Sequence, residues 1–187
     1  MGNTYANLAV VGRSQEQVAQ ALQRHRRRAW VAPAENDIVI VFDKGVDTLD
    51  DKEFERVGGL LSDELHATVL LAAVADSDEF YLALFRDGTR ELEYSNRSSK
   101  RGANRFARAL GRPSAAVPVW LALNAPVFVF QEDRHGLSAR LLRIPQWSVA
   151  NGYRYMSGGE VPDGLHADTL ISVGGPMPPT ELTDPGD

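Results

Sequence analysis

The densest set of potential metal ligands in this chain is Asp76-Ser77-Asp78-Glu79, directly after an apolar run. Hard divalent cations want carboxylate oxygens so grouped, and metal-nucleotide transferases place an Asp-x-Asp pair at the end of such a strand. A site on Asp76, Asp78 and Glu79 would serve a metal-dependent hydrolase or transferase. The competing reading is a strand-ending turn, in which Asp and Ser bond their own backbone. We weigh the turn above the metal site. In the expected topology Asp43 ends a strand at the opposite edge and cannot join the set.

A second set is basic. Arg97, Lys100, Arg101, Arg105, Arg108 and Arg112 follow one another with no intervening acid. The last four fall at helical spacings of four and three, a stripe suited to phosphate contacts and nucleic-acid binding. Against it stand the negative whole-chain charge and the lack of an RNA-recognition signature. The expected third strand carries Val39, Ile40 and Val41 where stacking rings would be needed. A solvated helix face is the simpler explanation.

Other constellations are weaker. Gly12-Arg13-Ser14 lacks the second glycine of a nucleophile elbow, so Ser14 reads as a helix N-cap. Glu132-x-x-His135 occurs once, whereas di-iron bundles need two copies and further carboxylates; a helix-stabilising pair is the better reading. His25, His66 and His166 form no recognised set. A polymerase-type palm would want an acid at the first strand, and only Glu35 and Asp37 stand at the hairpin. Gly158-Gly159 and Gly174-Gly175 lack phosphate-loop spacing, so no cofactor is called for.

The elements that position these residues are clearest over 67–96. Thr68–Val74 and Phe80–Phe85 are apolar runs that suit strands covered on both faces. Asp87-Gly88 is a hairpin dipeptide. The returning strand alternates, with Leu92 and Tyr94 on one side and Glu91 and Glu93 on the other, as at a sheet edge. Upstream, Thr4–Val11, Ala29–Ala32 and Asp37–Asp43 read as strands. Ser14-x-x-Gln17 opens a helix with the stripe Val18, Ala21, Leu22, His25. A second helix starts at Asp50-Asp51 with the stripe Phe54, Val57, Leu60/Leu61, Leu65. Gly58-Gly59 inside it either breaks it or marks close packing on the sheet.

The resulting fold class is α+β. Residues 1–96 are expected to form a ferredoxin-like βαββαβ core with an added β-hairpin. Residues 97–171 form a smaller α+β extension packed on it, and 172–187 an irregular Pro-rich tail. Within the extension, helices are expected over Ala103–Leu110, over Pro118–Leu123 with Pro at its first position, and over Glu132–Leu142.

Composition narrows function by exclusion. The 187 residues carry a net charge of −5 and no cysteine, which removes disulfides, thiolate metal sites and cysteine nucleophiles and suits a reducing cytoplasm. No apolar run is long enough to span a bilayer. The charge is segmented: residues 35–93 hold 16 acidic and 5 basic side chains, residues 94–143 hold 2 and 9. The two surfaces either face each other, solubilise the fold, or serve a partner.

The runs DSDEFYLALFRDGTRELEYSN, EDRHGLSARLLRIP and GYRYMSGGEVP resemble a pattern that recurs in an uncharacterised bacterial protein family with no assigned activity. The resemblance transfers no catalytic residue; it implies that the two halves form one unit. Nothing here compels an enzyme. The expectation is a non-catalytic, intracellular protein-binding or regulatory module. Its partner is another protein or a second copy, with the acidic half docking a basic surface.

Overall fold

The computed structural model describes residues 2–97, 102–126, 128 and 130–175. They form a mixed α+β fold: one seven-stranded antiparallel sheet and, among the described residues, six α-helices. Chain order is β1 (Tyr5–Val11), α1 (Gln15–Arg24), β2 (Ala29–Val31), β3 (Ile38–Asp43), α2 (Asp51–Glu64), β4 (Val69–Ala75), β5 (Glu79–Arg86) and β6 (Thr89–Ser95). Then come α3 (Ala103–Ala109), α4 (Ala116–Asn124), α5 (Gln131–Leu142), α6 (Tyr153–Ser157) and β7 (Ile171–Val173). The strands lie in the order β6-β5-β4-β1-β3-β2-β7.

Local chemistry explains the first half. Ser14 caps α1 through a reciprocal bond with Gln17, a capping box as its spacing predicts. Asp50 caps α2 by accepting from the Lys52 N–H. The β4–β5 turn holds Asp76 and Ser77 at positive φ, and the β5–β6 turn does the same with Asp87 and Gly88. Helix α2 does not break at Gly58-Gly59. A Cβ on Gly58 would lie 2.5 Å from the Phe85 ring, and one on Gly59 2.9 Å from the Gly88 carbonyl oxygen. The glycines let the helix sit directly on the β5–β6 hairpin.

The sheet is covered on both faces. On one, Leu8, Val10, Val39, Val41, Leu71 and Phe85 pack against Val18 and Leu22 of α1 and Phe54, Val57 and Leu61 of α2. On the other, Tyr5, Ile40, Phe42, Phe80, Leu82 and Tyr94 pack against Phe106 of α3, Val119 and Leu123 of α4, Ala139 and Leu142 of α5 and Met156 of α6. The second half of the chain is therefore a helical layer over the first half's sheet.

Several expectations are corrected. His25 is not in the apolar stripe of α1: the helix ends at Arg24, and His25 turns outward to Glu64, 2.6 Å away. Helix α4 begins at Ala116 after a 3-10 turn at Pro113–Ala115, which places Pro118 third rather than first. Its missing N–H still falls in the first turn, where no helical acceptor exists. Residues 172 and 173 belong to β7, paired with β2 through Ser172–Trp30 and Val173–Ala29, and not to an irregular tail. A three-residue strand carries too little alternation to be read. Residues 176–187 of the expected tail lie outside the described residues.

Candidate functional site

The acidic turn is tied down by its neighbours. Asp76 accepts from the Gly2 N–H at 2.9 Å, and Ser77 accepts from the Asn3 N–H at 2.8 Å while donating to Glu132. Glu79 pairs with Arg97 at 2.5 Å, and exposed Asp78 lies 4.0 Å from the same guanidinium. Among the described residues no three His, Cys, Asp or Glu side chains are grouped to hold a metal ion. Of the basic set, Lys100 and Arg101 lie outside the described residues. Arg105 and Arg108 stand exposed on α3. Arg112 follows α3; its pKa is lowered by desolvation and by the Arg143 charge beside it. Arg97 is thus drawn to the turn and away from the α3 stripe.

Glu132 and His135 do not pair with each other. One Glu132 oxygen accepts from Asn3 and Ser77; the other is buried with no hydrogen-bond partner among the described residues. His135 is wholly buried between the rings of Tyr5 and Phe80, its Nδ1 2.8 Å from the Tyr5 hydroxyl. Burial lowers its pKa to about 4 and raises that of Tyr5, so both stay neutral near pH 7.

A set of buried polar side chains holds the helical layer on the sheet. Asn7, mid-β1, donates to the carbonyls of Ser148 and Asn151 at 2.8 and 2.9 Å. Asp47 accepts from the Ala6 and Arg154 N–H groups and from Arg154 Nε. Its pKa is raised by burial, against the pull of those three donors. Arg134 is buried with no carboxylate partner among the described residues. It donates to the carbonyls of Ala122, Leu123 and Ala125, and its guanidinium lies 4.9 Å from the centre of the Phe128 ring. The Tyr94 hydroxyl donates to the same Leu123 carbonyl. Arg134 and Tyr94 together satisfy and clamp the C-terminal end of α4, where a cation suits the helix dipole.

That clamp fixes a helix with no polar side. Helix α4, AVPVWLALN, turns Ala116, Val119, Ala122 and Leu123 inward. On its other side Val117, Trp120 and Leu121 remain 67, 46 and 55 % exposed. Leu137 on α5, which packs against α4, and Phe130 at the α5 N-cap are exposed apolar side chains as well. Arg105 and Arg108 on α3 and Arg140 on α5, the two helices packed against α4, are exposed and without an ion pair among the described residues.

The acidic half presents the opposite picture. Arg90 meets Asp51, Glu55 and Glu93; Arg27 meets Asp43 and Glu53; Arg24 and His25 meet Glu64; Arg86 meets Glu91. The acidic segment is neutralised chiefly by arginines of the first half rather than by the basic segment. Sequence reasoning missed this, and missed the α4 surface, although the unbroken apolar run around Trp120 was its signal.

No protein-family model matches the chain, and comparison with curated proteins and with solved structures gives no significant match. No helix among the described residues is long and apolar enough to cross a membrane.

Proposed function

We propose that the chain is a non-catalytic, cytoplasmic protein-binding or regulatory module that docks its partner on the outer face of α4. The carrying observation is a helix apolar on both sides whose outer side chains Val117, Trp120 and Leu121 stand in solvent. Contiguous exposed apolar groups with a polar rim are characteristic of interaction sites. Trp and Arg, both present here, are the residues most enriched among the anchors of such sites.

The rim selects the partner. Arg105, Arg108 and Arg140 call for a protein whose apolar ridge is edged by carboxylates. A two-fold pairing of this face with a second copy would set arginine rim against arginine rim, which disfavours self-association through it. The acidic half is a poorer docking face, because many of its carboxylates, Asp51, Glu53 and Glu55 among them, already have cationic neighbours. We also read the centre of the sheet as a ferredoxin-like core, a reading supported by the run β4-β1-β3-β2. Hairpin β5–β6 and strand β7 extend it, and the helical layer covers the face that RNA-recognition modules leave open.

The test is affinity capture on immobilised protein, wild type beside Trp120→Glu and Arg105→Glu/Arg108→Glu. The expected result is an acidic protein retained at low salt by wild type and lost from both variants. Identical retention by all three would refute the α4 site.

A further inference from the structure

A cavity of about 500 Å³ opens where the two halves of the chain meet. The first half contributes Lys44, just after β3, and Asp47 and Leu49 from the following turn; α6 contributes Tyr153, Arg154 and Ser157. Its volume falls within the range of small-molecule pockets.

The hydrogen-bond ledger of these six side chains is one-sided. Asp47, the one carboxylate, is fully engaged by the Ala6 and Arg154 N–H groups and Arg154 Nε. Arg154 also donates Nη2 to the Thr4 carbonyl at 3.1 Å, which leaves Nη1 without a hydrogen-bond partner among the described residues. The Arg154 side chain is 61 % exposed. Lys44 is exposed and forms no ion pair among the described residues. Ser157 Oγ accepts from buried Trp30 Nε1 at 3.2 Å, so its own O–H is free to donate. The carboxylate is engaged and two of the remaining polar groups are cationic donors; the Ser157 hydroxyl has a proton to give, while Thr48 Oγ1, which also lines the cavity, gives its proton to the Gly45 carbonyl. Leu49 and the Tyr153 ring supply the apolar wall.

We infer that this cavity binds a small organic anion. Its carboxylate or phosphate head would meet Lys44, Arg154 Nη1 and the Ser157 hydroxyl, and its apolar or ring-bearing body would lie against Leu49 and Tyr153. Both sources present the same charged oxygens to the same donors. Bound there, the ligand touches both halves of the chain and stabilises the docking of α6 on the sheet.

The experiment is thermal melting and isothermal titration of the full chain with phenyl phosphate, phenylacetate and inorganic phosphate, repeated on Lys44→Ala and Arg154→Lys. One phenyl compound is expected to raise Tm and bind one-to-one; which one does so identifies the head group. Lys44→Ala should weaken that binding roughly tenfold. Lys44 is exposed with no side-chain bond, so this variant should keep the wild-type melting curve without ligand. The inference fails if neither phenyl compound binds. It fails equally if binding is unchanged in Lys44→Ala, or if inorganic phosphate alone binds and does so equally to wild type and variant.

Discussion

The two faces of the sheet are closed by different physics. Under α1 and α2 the contact is mainly apolar, between Val, Leu, Ala and Phe side chains, with the buried Arg27–Asp43 pair and Ser62 as its polar exceptions, and its tightest point is a glycine seated on the Phe85 ring. Under α3–α6 the apolar contact is threaded by polar side chains that reach across the chain. Asn7 bonds to Ser148 and Asn151, Asp47 to Arg154, Tyr5 to His135, and Arg134 to the end of α4. Shape should govern the first face and donor–acceptor matching the second. The second face also carries the exposed helix, and its specific bonds hold that helix with its Trp outward.

This contrast can be broken from either side. The largest effect is expected from Arg134→Met, which keeps volume but takes the guanidinium away from the Ala122 and Ala125 carbonyls and Gln131 Oε1 and leaves Leu123 with the Tyr94 hydroxyl alone. Denaturant melting should show a loss of about 3–5 kcal/mol. Amide exchange should rise first in α4 and α5, with β1, β3 and β4 still protected. Uniform loosening of the whole sheet would mean that the helical layer is not a separable closure.

The next effect is one of pH. His135 resists protonation in the folded state until about pH 4, whereas the unfolded chain takes up the proton near pH 6.5. Between those values the unfolded state binds more protons, so stability falls as pH drops. The loss from His135 between pH 7 and pH 5 should be about 2 kcal/mol, and His135→Gln should flatten that part of the profile. An unchanged profile in the variant would show that the imidazole does not titrate with folding.

A smaller response is expected on the apolar face. Gly58→Ala drives a methyl into the Phe85 ring and should cost about 1–3 kcal/mol by overpacking, despite the better helix propensity of alanine. A stabilised variant would mean that α2 does not sit as tightly as its glycines suggest. Smallest of all, Trp120→Glu should change stability by less than about 1 kcal/mol, because that side chain is about half exposed and no buried polar bond depends on it.

The sequence makes the two faces unequally legible for the same reason. Strand alternation and helical periodicity report apolar closure, so the capping box at Ser14, the Asp87-Gly88 turn, the Leu92/Tyr94 parity and the Phe54–Val57–Leu61 stripe can be read directly. Long-range polar bonds leave no local trace. Asn7 and Asn151 are 144 positions apart, and nothing near either announces the other. Helix α4 has no amphipathic pattern, so its inner and outer sides cannot be told apart from AVPVWLALN. Charge segmentation is visible in the sequence, but its resolution is not, since the arginines that neutralise Asp51, Glu53 and Glu64 come from the same half of the chain. Asp76 and Glu79 look like metal ligands in isolation, and only the fold places Gly2 and Arg97 against them.

The most direct test of the account is hydrogen–deuterium exchange on the protein with its captured partner bound. The docking surface proposed here predicts slowed exchange over 116–142, covering α4 and α5, with α2 and β6 unchanged. Protection centred on α2 and β6, the acidic side, would contradict it and return the partner to the face that α4 was proposed to replace.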